Sequence, residues 1–206
     1  RKLGTVSVLA PDRNWSGGGQ VKTLDRALPV REVRLADGTQ GFASDGAPSD
    51  CVALATLGFF KESIDLVVSG INAGANLGHD VTYSGTVTAA MEAVIAGVPG
   101  IAVSLETLDG HLGDIDYGPA ARAASKVVRQ VIENGLSHEI LLNVNVPFLA
   151  DEKIRGVEGS YKLTTRAVSL FRKYAHKGKL TVRINTVVGR SNYETLATLP
   201  DVAHQL

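Results

Sequence analysis

The chain has 206 residues, of which 44% are hydrophobic and 20% charged, which suits one domain of ordinary size with a substantial core. Its 21 basic and 21 acidic residues balance, so the overall charge favours neither a nucleic-acid polymer nor a membrane surface as a partner. The single cysteine, Cys51, excludes an intramolecular disulfide and a zinc cluster of thiolates, and its apolar neighbours predict a buried, inert thiol. No apolar run approaches the ~20 residues of a membrane span, and no signal peptide opens the chain, which together predict a cytoplasmic protein.

Strand-like and helix-like segments alternate between residues 5 and 146. Short apolar segments predict strands at residues 5–10, 28–35, 41–44, 65–69, 101–105 and 139–146. Longer segments rich in small and apolar residues predict helices at residues 48–60, 87–98 and 117–134. The dipeptide Asp37-Gly38 predicts a tight hairpin turn between the second and third strands. This alternation is typical of βαβ units and predicts an α/β fold with a mostly parallel sheet.

The two ends of the chain differ from this pattern. Residues 1–4, Arg-Lys-Leu-Gly, resemble the last turn of a helix, which predicts that the preceding strand and helix are missing, although a short tail would look similar. After the last predicted strand, basic residues crowd positions 162–179, most simply as a solvated face, and residues 179–188 alternate like an exposed strand. We therefore divide the chain into an N-terminally incomplete α/β domain, residues 1–147, and a smaller extension, residues 148–206, that could serve as an oligomerisation arm.

A polar, glycine-rich loop follows the fourth predicted strand. A loop at the carboxyl end of a buried parallel strand is where open α/β sheets bind ligands. The next helix opens at Ser84-Gly85-Thr86, so the unpaired N–H groups and the dipole of its first turn would attract a phosphate group. Because serine is also a common helix N-cap, a purely structural role for Ser84 is the alternative. The loop's asparagines, Asn72 and Asn76, and its glycines favour the phosphate interpretation, since they let amide groups approach a ligand closely.

A second polar loop, which follows the first predicted strand, contains Ser16. Because parallel strands end at the same edge of a sheet, we expect Ser16 and Asn72 to converge there. Their neutral oxygens suit Mg²⁺ or Mn²⁺, but these cations also need one or two carboxylates, and neither loop offers an acidic pair. Asp80 is the better candidate acid in the central loop, whereas Asp12 most simply caps a turn. His79 could act as a general acid, but a loop histidine is more often only solvated.

Three motifs occur in order along the chain: Ala-Pro-Asp-Arg-Asn-Trp-Ser-Gly at residues 10–17, Asp-Gly-Ala-Pro-Ser-Asp-Cys at residues 45–51, and the polar loop at residues 67–86. In sequence and spacing they resemble the SurE family of survival-protein nucleotidases, from about residue 3 to residue 156. The resemblance implies a Rossmann-like α/β domain with helices on both faces of its sheet, and a C-terminal extension that helps to form dimers or tetramers. It also implies a metal-dependent phosphatase, with Mn²⁺ or Mg²⁺ as cofactor, that releases phosphate from nucleoside 5′- and 3′-monophosphates.

The resemblance carries over to individual positions. Ser16 and Asn72 match family residues that bind the metal. The positions that match residues holding the substrate phosphate are Asn76, Ser84, Gly85 and Thr86. Gln20 stands where many family members have asparagine and is, with Asp80, a further candidate site residue. The family's Asn-Asp-Asp-Gly segment, whose paired aspartates are the main metal ligands, has no match here, so the catalytic residues stay unassigned and weak or no turnover is expected of this chain alone.

Three functions stay open at this point. The first is a metal-dependent phosphomonoesterase acting on nucleoside monophosphates. The second is a phosphate- or nucleotide-binding module without turnover, in which the neutral donors of the loop would still bind a phosphate. The third is a structural role in which the strand at residues 179–188 pairs across a two-fold axis of a homodimer or homotetramer. The chain has no Gly-x-x-x-x-Gly-Lys-Ser/Thr or Gly-x-Ser-x-Gly motif, which argues against a P-loop NTPase and an α/β-hydrolase.

Overall fold

The computed structural model describes residues 3–107, 114–137 and 139–149, together with the backbone of residues 184–187. The strands are β1 (Leu9–Pro11), β2 (Val30–Arg34), β3 (Gln40–Ser44), β4 (Val67–Ala73), β5 (Gly100–Leu105), β6 (Leu141–Val146) and β7 (Ile184–Val187). The helices are α1 (Pro48–Leu54), which continues as a π-helical turn (Ala55–Phe59), α2 (Asp80–Tyr83), α3 (Gly85–Ile95) and α4 (Gly118–Asn134). Each strand and helix predicted between residues 5 and 146 has a counterpart, and the largest shift is in the first helix, whose α-helical part already ends at Leu54.

The first sheet has three strands in the order β1-β3-β2. β2 and β3 form the antiparallel hairpin that Asp37-Gly38 predicted. Gly38 has a φ of 83°, and the Thr39 N–H donates to Asp37 Oδ1 (2.9 Å), which together close the turn. β1 runs parallel to β3, with Leu9 opposite Phe42. This sheet therefore supplies the loop that carries Ser16, directly after β1.

The second sheet is parallel throughout, in the order β4-β5-β6-β7. β5 and β6 are buried along their whole length because helices cover both faces. Ile101 of β5 packs with Val127 of α4 on one face, and Ala102 packs with Ala90 of α3 on the other. Gly100 permits the close approach of α3, since a Cβ there would lie 2.2 Å from the Ala90 backbone oxygen. The predicted α/β fold, with a mostly parallel sheet and helices on both faces, is confirmed.

The division into two sheets differs from the single sheet edge on which the sequence argument relied. Among the described strands, β1 pairs with β3 and not with β4. The physical reason is that β1 is three residues long and bonds to the return strand of the hairpin, a pairing that the order of elements along the chain does not reveal. Any approach of the loops after β1 and β4 must therefore come from contacts with helices rather than from pairing of their strands.

β7 lies within the segment that alternation predicted as a strand, residues 179–188. It pairs in parallel with β6, with Leu142 opposite Ile184, and so extends the second sheet. The basic run at residues 162–179 and the rest of the extension beyond residue 149 lie outside the described residues. The boundary between residues 147 and 148 and the use of the extension as an oligomerisation arm stay predictions.

Candidate functional site

β4 ends in an irregular stretch that carries Asn72 to the edge of the second sheet. Ser69 pairs with Ala102 and Asn72 with Ser104, so β4 has one more residue than β5 between these two pairs. Such bulges re-aim side chains and are common beside active sites. Asn72 Nδ2 donates to the backbone oxygen of Gly74 (2.8 Å), which fixes the amide nitrogen and leaves the amide oxygen to bind another group. Asn72 thus offers an oxygen of the kind that hard cations bind.

Asn76 is held inside the molecule by three polar side chains from the neighbouring strands. Its Nδ2 donates to Ser104 Oγ (2.6 Å), and its backbone N–H donates to Asn145 Oδ1 (2.8 Å). Its backbone oxygen accepts from Asn143 Nδ2 (2.8 Å) and Asn145 Nδ2 (3.3 Å). All four residues are at most 6% exposed. Asn76 therefore anchors the polar loop to β5 and β6, while its contact with a substrate phosphate stays a prediction.

Sequence reasoning missed the three strand residues of this asparagine network, Ser104, Asn143 and Asn145. A signal was present, because Asn143 and Asn145 alternate with valines in an otherwise apolar strand, and buried amides need hydrogen-bond partners. The pattern could have marked both residues as special. It could not have named the Asn76 backbone as their partner, since Asn76 lies 67 and 69 residues away in the chain.

Helix α3 starts directly after Ser84, as predicted. Ser84 Oγ accepts a hydrogen bond from the Val87 N–H (3.2 Å), so Ser84 is the helix N-cap. The N–H groups of Gly85 and Thr86 precede the first helical hydrogen bond and have no acceptor within the helix. A Cβ on Gly85 would lie 3.0 Å from Pro48 Cγ, so glycine lets α1 pack closely here. Capping and phosphate binding are compatible, because the cap uses the Val87 N–H and not the two before it.

The loop after β1 lies against the same helix start. The Gly19 N–H donates to the Tyr83 backbone oxygen (3.0 Å). The Trp15 backbone oxygen is 3.7 Å from the position of a Cβ added to the first residue of α3. Ser16, between these contacts, is exposed, and its Oγ donates to Asn14 Oδ1 (2.6 Å). The structure thus brings the loop of Ser16 to the turn that contains the candidate phosphate-binding amides.

The remaining candidate residues lie on the surface. Gln20 is exposed in the loop after β1, and His79 and Asp80 are exposed at the start of the short helix α2. The His79 backbone oxygen accepts from Thr82 Oγ1 (2.7 Å), so this histidine helps to end the loop as well as facing solvent. Asp12 is also exposed, and its backbone N–H donates to the last residue of β3 (2.7 Å).

The described residues do not by themselves complete a site for a divalent cation. Ser16 Oγ and Asn72 Oδ1 are neutral oxygens, whereas Mg²⁺ and Mn²⁺ normally take one or two carboxylates as well. Within the described ranges, no group of three His, Cys, Asp or Glu side chains could hold a metal ion. The Asn72 side chain donates to the backbone oxygens of residues 73 and 74, while the contacts around Ser16 lead to the start of α3. The convergence of Ser16 and Asn72 on one cation therefore stays a prediction.

Cys51 lies in α1 and is 2% exposed, which confirms the predicted burial of this thiol. Burial raises the pKa of Cys51 to about 12, and the negative charge of the neighbouring Asp50 adds to the effect. The thiol is therefore protonated at neutral pH. Because the thiolate is the nucleophile and the metal ligand, Cys51 takes neither role under ordinary conditions.

Three comparisons with known proteins agree with one another. A family model described as "Survival protein SurE" matches residues 1–170. A 5′-nucleotidase SurE from Herpetosiphon aurantiacus is 54% identical over 146 residues, which cover 71% of this chain and 56% of the relative. Another from Chloroflexus aggregans is 48% identical over 160 residues, which cover 77% of this chain and 62% of the relative. The crystal structure of a SurE protein from Aquifex aeolicus is 40% identical, with a TM-score of 0.64 over 76% of this chain and 60% of that one. This chain thus spans between 56% and 62% of the length of these relatives.

Proposed function

The chain belongs to the SurE family, and from that premise we propose that it serves in the hydrolysis of nucleoside 5′- and 3′-monophosphates to nucleoside and phosphate. The relatives from Herpetosiphon and Chloroflexus are named as 5′-nucleotidases, which supports a nucleoside monophosphate as substrate. Action on the 3′-monophosphate goes beyond those names and is the second part of the proposal.

The start of helix α3 is the observation that carries this proposal. A phosphate group there would accept hydrogen bonds from the N–H groups of Gly85 and Thr86, and the helix dipole would add to the attraction. The chain has a formal net charge of zero, so the attraction has to be local. The loop of Ser16 would form a second wall beside the phosphate. Donors fixed in this way bind the phosphoryl oxygens and also stabilise the charge that moves onto the group during transfer.

We propose that turnover depends on Mn²⁺ or Mg²⁺, with Ser16 and Asn72 among the ligands. The fit of the described residues to such a cation is partial, because both oxygens are neutral. Completing the site needs carboxylates. These would come from Asp80 or Asp12 after a movement of their loops, from residues outside the described ranges, or from a partner chain.

A second candidate function is the binding of a phosphate or nucleotide without turnover. The observation that favours it is the chemistry of the donors, which are backbone N–H groups, a hydroxyl and an amide. A phosphate can bind such donors without a cation, as it does at many helix starts. Calorimetry that detected no binding of AMP with or without Mn²⁺ would exclude both candidate functions.

Phosphate release from 5′-AMP and 3′-AMP in Mn²⁺, Mg²⁺ or EDTA separates the two functions. Release that EDTA abolishes supports the enzyme, and binding without release supports the binding module. Gly85→Ala should weaken either activity, because its methyl group would press on Pro48 and displace the first turn of α3. Gly4→Ala is the matched control, since a Cβ there meets no atom within 4 Å and should leave the result unchanged.

The protein is further proposed to be a cytoplasmic homodimer or homotetramer that binds neither membranes nor nucleic-acid polymers. Among the described helices, none has both the length and the apolar character needed to cross a membrane. β7 ends the second sheet as far as it is described, so its outer edge could pair with a second copy of the chain. Sedimentation that gave a monomer at every concentration would contradict the oligomer.

A further inference from the structure

The segment of residues 15–23, here named the strap, runs from the loop after β1 across helices α1 and α3. Its backbone is bound by groups at the start of both helices. These contacts are Gly19 N–H to the Tyr83 oxygen (3.0 Å), Thr88 Oγ1 to the Gly19 oxygen (3.1 Å), and Ser49 Oγ to the Val21 oxygen. The strap therefore touches the helix start proposed to bind phosphate and the helix packed beside it.

Two buried carboxylates secure the far end of the strap. Asp50 of α1 is 2% exposed and accepts from the Thr23 N–H (2.9 Å), Thr23 Oγ1 (2.7 Å) and the Ala47 N–H (2.9 Å). Glu92 of α3 is 5% exposed and accepts from Lys22 Nζ (2.8 Å). The hydrogen bond and charge of Glu92 raise the pKa of Lys22 above its usual range. A buried carboxylate is stable only when it is paired, so both carboxylates favour the strap in its observed place.

The near end of the strap is held by the two hydrogen bonds of Gly19 and otherwise consists of flexible or exposed residues. Gly17 and Gly19 have φ values of 76° and 60°, and glycine chains leave such conformations easily. Ser16 and Gln20 are exposed side chains on either side of these glycines. Their positions relative to α3 therefore depend on the hydrogen bonds of Gly19 and on the contacts farther along the strap. The paired carboxylates lie on the same two helices that meet at the candidate site, so they are placed to help set these positions.

We propose that Lys22 and Thr23 are positioning residues that hold the strap, and with it Ser16, against the start of helix α3. They act through Glu92 and Asp50 and touch no substrate. The consequence for ligand affinity rests on the proposed function of the helix start. The consequence for the order of the strap does not rest on that function. An experiment can therefore contradict the positioning role without contradicting phosphate binding, and the reverse.

Hydrogen exchange of the backbone amides tests the order of the strap in the absence of ligand. In the double variant Lys22→Met/Thr23→Val, the Gly19 amide should exchange about tenfold faster, because its contact with Tyr83 opens more often. Amides within α4 should keep their rates. The single variant Lys22→Arg should keep the protection of the Gly19 amide, since it keeps the ion pair with Glu92. Lys61→Met, which removes an exposed lysine outside the strap, should match the unchanged protein.

An unchanged rate at Gly19 in the double variant would overturn the proposal. So would an equal rise of the rates throughout α4, which would mean a general loss of stability rather than a loosened strap. These two exchange measurements test the role of Lys22 and Thr23 even if the protein binds no phosphate.

Calorimetry with inorganic phosphate and with 5′-AMP, in Mn²⁺, tests the consequence for the site. The double variant should bind each probe about tenfold more weakly, since displacing the loop of Ser16 from the start of α3 costs affinity. Both Lys22→Arg and Lys61→Met should bind each probe with the affinity of the unchanged protein. Unchanged affinity together with faster exchange at Gly19 would contradict a positioning role. If the unchanged protein binds neither probe, the proposed function fails, and exchange at Gly19 alone decides the role of Lys22 and Thr23.

Discussion

Two segments reach the start of helix α3, and different forces hold them. The polar loop after β4 is anchored by the asparagine network, whose four neutral side chains are at most 6% exposed. The strap is anchored by carboxylates of α1 and α3, one of which binds a lysine whose side chain is half exposed. Buried neutral hydrogen bonds are hardly affected by salt, whereas an ion pair with an exposed partner weakens as salt is added.

One side of the candidate site therefore belongs to the folded core, and the other is a surface contact. Loss of the asparagine network should cost stability first, because the network joins the loop to the central strands. Loss of the strap contacts should loosen the site within a folded protein. Scaffolds and binding loops commonly divide in this way, with the least stable parts nearest the ligand.

The loss of one member of the asparagine network should have the largest effect. Asn145→Ala leaves the Asn76 N–H without its acceptor in a buried place and should lower the free energy of unfolding by about 3 kcal/mol. Urea unfolding measures the loss. Asn134→Ala, at the exposed end of α4, is the control and should change the stability by less than about 0.5 kcal/mol. Equal small losses in both variants would mean that the network is not part of the stable core.

Asp50→Ala tests the stronger of the two strap anchors. The change removes three hydrogen bonds to a buried carboxylate, one of which caps helix α1, and should lower the free energy of unfolding by about 2 kcal/mol. The exposed Asp65 provides the matched control, since Asp65→Ala removes a carboxylate without a buried partner. Thermal unfolding of both variants gives the difference. If Asp50→Ala were as stable as the control, the Asp50 carboxylate would not be an anchor of the strap.

Ser84→Ala acts where the two segments meet. Loss of the N-cap hydrogen bond should lower the free energy of unfolding by about 1 kcal/mol and should also weaken phosphate binding. Ser63→Ala, an exposed serine outside helices and strands, is the control. Urea unfolding and calorimetry with inorganic phosphate separate the two effects. If the stability fell but the affinity for phosphate did not, Ser84 would be a cap alone.

The buried thiol of Cys51 in helix α1 should make the free energy of unfolding depend on pH. Its pKa is raised from 9.0 to about 12, so the unfolded thiol ionises at a pH where the folded thiol is still protonated. The stabilising contribution is therefore complete below pH 9 and is lost as the pH rises toward 12. Between about pH 8 and about pH 10, the free energy of unfolding should fall more in the unchanged protein than in Cys51→Ala. Equal losses would mean that the thiol titrates alike in both states.

Much of the fold followed from local patterns. Apolar segments of strand and helix length predicted strands β1 to β6 and helices α1, α3 and α4, because burial on one or both faces gives a sequence a hydrophobic period. The short helix α2 was not predicted, since it lies within the polar loop. The Asp37-Gly38 turn followed from backbone preferences alone. The two sheets did not follow, since the partner of β1 depends on where a hairpin folds back and not on the residues of β1.

The candidate site also has a part that the sequence predicted and a part that it did not. The start of α3 was predictable because a buried strand, a glycine-rich loop and Ser84 are neighbours in the chain. The ion pair of Lys22 and Glu92 joins residues 70 positions apart, and no local pattern marks two such residues as partners. Local chemistry thus identified the proposed binding turn, and only the tertiary structure showed what holds its surroundings.

An NMR titration of the backbone amides with inorganic phosphate and then with 5′-AMP tests directly whether the start of α3 binds phosphate. The Gly85 and Thr86 amides at the start of α3 should show saturable shifts. The start of α4 is an internal control, because the Gly118 N–H already donates to Asp116 Oδ1 (2.8 Å) and should not respond. Shifts of equal size at both helix starts, or none at Gly85 and Thr86, would contradict phosphate binding at the start of α3.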